Sequence, residues 1–198
     1  MKRGGAWAFL ATGISLGAIL VAALTRFSVT TVWDDAYIFI RYADNLLATG
    51  IPSWNPGEKP SYGVTSPFFC LLLLPIRALG GSPALSAVLA SIVSGLLLLA
   101  SLGLLLRYSS TRQPHLRPFL VWTSLLPMAA SSKHLGVHFM SGMDTLLSMA
   151  YLSLFLLTLV HHETRRSTGS AAIAGILGGV SLSVRPEFLL YATLVPAA

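Results

Sequence analysis

The chain has 198 residues, 54% of them hydrophobic and 10% charged, with a formal net charge of +6 and a mean hydropathy of +0.73. A soluble domain carries about 25% charged residues, so a water-soluble globule is excluded. The basic residues are spread among short segments between apolar ones, which makes the charge a topological signal and leaves no concentrated patch for nucleic acid.

Charge-free stretches at 4–25, 78–106 and 167–184 can each hold the ~20 apolar residues that cross a hydrocarbon core of ~30 Å. The expected fold is all-α: a polytopic transmembrane helix bundle of about five to six spans. It forms a single domain over 1–198, with a long extracytoplasmic first loop over 26–81 that carries interfacial helices.

The first span runs from Ala6 to about Thr25 behind Lys2 and Arg3, which places the N-terminus in the cytoplasm. It exceeds the 7–15 residues of a cleaved leader's apolar region, so it reads as a retained helix. Trp33-Asp34-Asp35-Ala36-Tyr37-Ile38-Phe39-Ile40-Arg41-Tyr42 follows. Stepping 100° per residue from Asp34 gathers Tyr37, Arg41, Asp44 and Asn45 on one arc. Phe39, Ala43, Leu46, Ala36 and Leu47 fall opposite, with Asp35 and Tyr42 at the border. A polar stripe over an apolar one predicts a helix lying along the membrane surface. Gly50 to Gly63 is dense in turn formers and predicts neither helix nor strand.

Segment 66–79 is apolar but short, interrupted by Pro75 and charged at Arg77, which predicts a re-entrant or interfacial element. Charge distribution supports this. If 66–79 does not cross, the spans are 6–25, 82–106, ~116–133, ~145–160 and ~168–184, with a sixth from Phe188. Lys2, Arg3, Arg107, Arg112, Arg117, Arg165 and Arg166 are then cytoplasmic, and six of the seven acids lie outside, Glu163 being the exception. If 66–79 does cross, Arg107, Arg112, Arg117, Arg165 and Arg166 move outside, against the positive-inside rule. The third span is expected to kink at Pro127, with Lys133 reaching to the interface. Small residues in the fifth, Gly169 to Gly179, predict close helix approach. Cys70 reads as a packing residue, and His161 and His162 as solvated loop residues.

Three polar sites then converge on the outer face: Asp34-Asp35 with Arg41, His138 to Asp144, and Arg185-Pro186-Glu187. Ionisable groups at a membrane boundary are costly unless paired or wet, so their meeting predicts an outward-facing polar cavity. Each has a plainer reading. One of Asp34 and Asp35, and likewise Asp144, can cap a helix, and Arg185 with Glu187 can be a structural ion pair. Capping does not use two adjacent carboxylates, a pair suited to a base or to metal ligation.

The order Asp34-Asp35-Ala36-Tyr37-Ile38-x-x-Arg41-Tyr42-Ala43-x-Asn45-Leu46, then Trp54-Asn55-Pro56-Gly57-Glu58, then Tyr62-Gly63-x-Thr65-Ser66-Pro67 resembles the start of GT-C membrane glycosyltransferases. The likeness is closest to the branch of terminal arabinofuranosyltransferases. Ser141-Gly142-Met143-Asp144-Thr145 and Val184-Arg185-Pro186-Glu187 are similar to two later segments of that branch. The resemblance implies an inverting transferase of a bacterial plasma membrane, multi-pass, with its active-site loop (26–81) extracytoplasmic. Its donor would be a polyprenyl-phosphate sugar and its acceptor a hydroxyl of a cell-envelope glycan, lipid or protein. Asp34 and Asp35 would be catalytic, with Asp34 the base because it shares the stripe of Tyr37 and Arg41. Tyr37, Arg41, Asn55, Tyr62, Asp144, Arg185 and Glu187 would contact substrate. The resemblance fixes no cofactor; some relatives use a divalent cation, which Asp34 and Asp35 could bind through oxygen ligands. The family's core has more spans, so the chain, ending at Ala198 inside a sixth span, is expected to be an N-terminal portion, inactive in isolation. The competing readings are a transporter subunit, whose sites usually lie at the bilayer midplane, and a non-catalytic membrane scaffold.

Overall fold

The computed structural model describes residues 32–112 and 132–194. Every regular element among them is a helix: α1 (Ala36–Thr49), α2 (Pro67–Ala78), α3 (Pro83–Arg112), α4 (Ser132–Met140), α5 (Thr145–Arg165), α6 (Thr168–Val184) and α7 (Phe188–Leu194). The chain is an all-α membrane helix bundle. The expected first span, and most of the third with its kink at Pro127, lie outside the described residues, as does the side chain of Lys133.

Two helices among the described residues are long and apolar enough to cross a membrane, Pro83–Leu105 within α3 and Thr145–Arg165, which is α5. Their 23 and 21 residues rise about 35 and 32 Å at 1.5 Å per residue, against a hydrocarbon core of ~30 Å. Less than half of either is buried inside the bundle. They lie side by side and parallel. Ser91 Oγ donates to the Met143 carbonyl at 3.4 Å at one end, and the Tyr108 and Thr164 hydroxyls meet at the other. α6 returns alongside α5. The Tyr151 hydroxyl donates to the Leu177 carbonyl at 2.8 Å midway, and Arg185, just past α6, comes back to Asp144. Motifs that are 41 residues apart in sequence thus share one end of the bundle.

α2 has 12 residues, about 18 Å, too short to cross. Buried Ser66 starts it by accepting from the Phe69 N–H at 3.3 Å, with Pro67 in the first turn where its missing N–H costs nothing. The expected interruption at Pro75 is corrected: the helix runs through it to Ala78. The lost bond falls in the last turn, where only three residues follow. Arg77 then closes α2 onto α1 through a bidentate pair with Asp44, Nε–Oδ1 2.6 Å and Nη2–Oδ2 2.9 Å. Phe39 meets Phe69 edge-on at 5.2 Å. Cys70 is buried against the Phe39 carbonyl, the packing role expected of it.

Two expectations fail. A Cβ added at Gly169, Gly175 or Gly179 would meet nothing within 4 Å, and at Gly178 only Ala192, so α6's glycines do not serve close helix contact among the described residues. His161 and His162 are not loop residues. α5 continues to Arg165, and His162 Nδ1 bonds Ser170 Oγ at 2.9 Å.

Candidate active site

α1 starts at Ala36, so Asp34 and Asp35 form the turn before it. The backbone N–H groups of Ala36, Tyr37 and Ile38 donate to the carbonyls of Trp33, Asp34 and Asp35. Asp35 stands at the cap position, yet its side chain makes no capping bond, so the capping reading has no support there. Both carboxylates are exposed and, among the described residues, neither has an ion-pair partner.

The helix buries Ala36, Phe39, Ile40, Tyr42, Ala43 and Asn45, and leaves Tyr37 and Arg41 exposed. The predicted polar arc therefore holds at Asp34, Tyr37 and Arg41 and fails at Asn45, which is buried, while Leu47, placed on the apolar side, is exposed. The loop after α1 is the cause. It folds back over the helix, and Asn45 Nδ2 donates to the carbonyls of Ser53 at 2.8 Å and Trp54 at 3.0 Å. Arg41 completes the clasp, with Nε on the Trp54 carbonyl at 2.7 Å, Nη2 on Asn55 Oδ1 at 2.8 Å, and its guanidinium 4.4 Å from the Trp54 ring centre. Asn55 Nδ2 in turn donates to Glu58 Oε1 at 2.8 Å. Tyr42 hydrogen-bonds Ser61, and its ring fills the space a side chain at Gly63 would need. Most of the first-loop pattern is thus accounted for by folding the loop. Asp34, Asp35, Tyr37 and the largely exposed Tyr62 remain without such a task.

The second polar segment abuts this turn. The Trp33 N–H donates to the Ser141 carbonyl at 3.0 Å, and the Trp33 ring meets His138 edge-on at 5.7 Å. Gly142 has φ +74°, and a Cβ there would lie 2.8 Å from the Cβ atoms of both Ala36 and Ala87. Only glycine suits both the left-handed backbone and that gap. Asp144, two residues on, is fully buried. It stands at the cap position just before α5, but its side chain makes no capping bond, which corrects the capping reading. Its carboxylate holds Arg185 instead, Nη2–Oδ1 2.8 Å and Nε–Oδ2 3.2 Å, with Ser148 Oγ 3.1 Å from Nε. Arg185 Nη1 also reaches Glu187 Oε1 at 3.2 Å.

Arg185 is therefore answered by two carboxylates. The hydrogen bonds it donates to Asp144 are the main cause that holds its guanidinium charged more firmly than usual, against the cost of burial. Glu187 lies below the ordinary carboxylate range, first through a backbone hydrogen bond and, against burial, through Arg185. Arg41, by contrast, has neutral partners and makes no ion pair among the described residues. The convergence of the second and third polar segments is direct, and the first joins them through backbone and packing. Asn55 is engaged at both ends of its amide. In the sequence Ser148 draws no notice, and Trp33, at the head of the Asp34-Asp35 stretch, carries no assigned role. The signal for Ser148 is its place four residues after Asp144 on one helix face.

Residues 65–195 match glycosyltransferase family 87, well over half of the 198 residues. The chain belongs to glycosyltransferase family 87. No curated protein and no solved structure matches it. The matched region carries Thr65-Ser66-Pro67, Ser141 to Asp144 and Arg185 to Glu187, and begins after Asp34-Asp35. Membership gives the class of activity, sugar transfer, over a transporter or a scaffold, and does not single out the arabinofuranosyltransferase branch.

Proposed function

We propose that this glycosyltransferase is of the GT-C type and moves a sugar from a polyprenyl-phosphate donor to an acceptor hydroxyl, with inversion, on the extracytoplasmic face of a bacterial plasma membrane. The acceptor class is a cell-envelope glycan, lipid or protein. The observation that carries this reading is the exposed Asp34-Asp35 turn, without an ion-pair partner among the described residues, held against the Ser141–Asp144 segment by the Trp33–Ser141 hydrogen bond. At a membrane boundary a carboxylate without an ion-pair partner must be wet, and a wet carboxylate is open to a substrate.

In this reading Asp34 accepts the acceptor's proton as the new glycosidic bond forms and the bond from the anomeric carbon to the phosphate breaks. The leaving lipid phosphate carries the negative charge away and needs a cation. Arg41 suits that role better than Arg185, because two carboxylates already flank Arg185. Arg41 lies seven positions after Asp34 on the exposed side of the turn and helix, on the order of 10 Å at helical rise, room for a sugar ring and its phosphate. Arg185, Asp144 and Glu187 then act as the strut behind the site.

No group of three or more His, Cys, Asp or Glu able to hold a metal occurs among the described residues. Asp34 and Asp35 would suffice for a Mg²⁺ only with a substrate phosphate completing its shell, where the ion would neutralise phosphate charge.

The deciding measurement is turnover with a panel of labelled polyprenyl-phosphate sugars, using membranes that carry the protein or an active longer relative. Asp34→Asn is expected to lower turnover by ~10²–10⁴-fold with donor binding retained. Arg41→Gln is expected to weaken donor use. Near-normal turnover in Asp34→Asn with loss in Asp35→Asn would reverse the assignment, and indifference to both would remove the reading.

A further inference from the structure

The end of the bundle away from Asp34 and Asp144 holds a groove of about 380 Å³. α3 forms one wall, α6 the other and α5 the floor. Each helix changes character along it in the same direction. On α3, Leu104 gives way to Arg107 and Tyr108; on α5, Leu157 gives way to His161; on α6, Ile173 gives way to Ser170. In every case the change takes about one helical turn, roughly 5 Å. Leu104 and Ile173 are half-exposed, so the apolar part opens sideways from the bundle. The membrane-crossing stretch of α3 ends at Leu105, which sets Arg107 at the depth of lipid headgroups. Exposed Arg165 adds positive charge at the same end, while Arg166 is balanced by Glu163.

We propose that this groove binds one anionic diacyl phospholipid of the surrounding leaflet, with its phosphate at Arg107 and His161 and an acyl chain along Leu104, Leu157 and Ile173. A charged head on a hydrocarbon tail has the same gradient as the three walls. Basic pockets between membrane helices recognise lipid headgroups by this combination. The groove is separate from the site above: Ser91 marks the Asp144 end and Tyr108 the other, a rise of about 25 Å along α3. A lipid held there takes no part in sugar transfer and needs no supply beyond the bilayer.

The test is native mass spectrometry of the purified chain, delipidated and titrated with phosphatidylglycerol or phosphatidylcholine of matched chains. One phosphatidylglycerol is expected to bind at concentrations that leave phosphatidylcholine unbound. Arg107→Gln should weaken it at least about tenfold, the loss of a charge-assisted hydrogen bond. Ile173→Trp should abolish binding by filling the groove while every charge stays in place, and Arg165→Gln, outside the lining, should change binding little. Circular dichroism checks that each variant keeps its helices, and both substituted groove positions are exposed. Equal binding of both lipids, or unchanged binding in Arg107→Gln and Ile173→Trp, would overturn the proposal. Displacement by polyprenyl phosphate would reassign the groove to the donor, and equal competition by glycerol 3-phosphate would reduce it to a headgroup contact; either result overturns the lipid assignment.

Discussion

Two carboxylate-bearing turns meet at one end of the bundle and are built in opposite ways. At the start of α5, Asp144 is fully buried and gripped by Arg185, with Ser148 and Glu187 completing the arginine's partners. Before α1, Asp34 and Asp35 stand exposed and, among the described residues, without an ion-pair partner. A buried ion is tolerated only when paired and hydrogen-bonded, and the pairing commits it to holding structure. An exposed carboxylate is free to accept a proton. On the function proposed above, the first turn serves stability and the second chemistry.

The largest expected effect breaks the first turn. Arg185→Ala leaves Asp144 buried without its cation, and removing one partner of a buried pair costs about 3–5 kcal/mol. Thermal or denaturant unfolding in detergent should register that loss. Asp34→Asn, in the same assay, should stay within about 0.5 kcal/mol of the parent. Equal destabilisation by the two would erase the distinction.

Gly142→Ala tests the joint between the turns. The added methyl would press on Ala36 and Ala87, 2.8 Å away, in a backbone with φ +74°. Overpacking costs about 1–3 kcal/mol, and the left-handed conformation about 1 kcal/mol more. Because the pressure falls on the first residue of α1, turnover should drop as well as stability.

A smaller effect is expected in the clasp that holds the loop over α1. Asn45→Ala leaves the Ser53 and Trp54 carbonyls without their side-chain donor, a loss of about 1–3 kcal/mol. Limited proteolysis within 50–63 should accelerate in that variant.

The smallest is a pH dependence at Glu187. Its native value lies below the ordinary 4.5, so its contribution is complete above that value and fades as pH falls through the lowered one. Stability should thus be flat across neutral pH on its account. Glu187→Gln should flatten the acid limb slightly, by less than about 1 kcal/mol.

How much of this was legible beforehand differs between elements. The all-α class, the crossing stretch of α3, the limits of α6 at 168–184 and the irregular 50–63 loop all follow from the sequence. These depend on local composition: apolar run length, absence of charge and density of turn formers act on neighbouring residues only. The return of Arg185 to the mouth of α5 was also foreseeable in outline, because alternate spans bring alternate loops to one face.

The choice of partner was not legible. Arg41, Asn45 and Leu47 were placed by helical angle alone, which knows nothing of a loop that folds back, so Asn45 was expected wet and is buried under Ser53 and Trp54. Asp144 matched a helix cap by position, and only the nearness of Arg185 across 41 residues made it an ion pair. His162 was expected in a solvated loop, yet it sits within α5 and meets Ser170 on the next helix. The sequence by itself determined which segments are helical and apolar, since those preferences are summed along the chain. The tertiary structure decided which charges are satisfied and which stay open, because that depends on what the fold brings within hydrogen-bond reach.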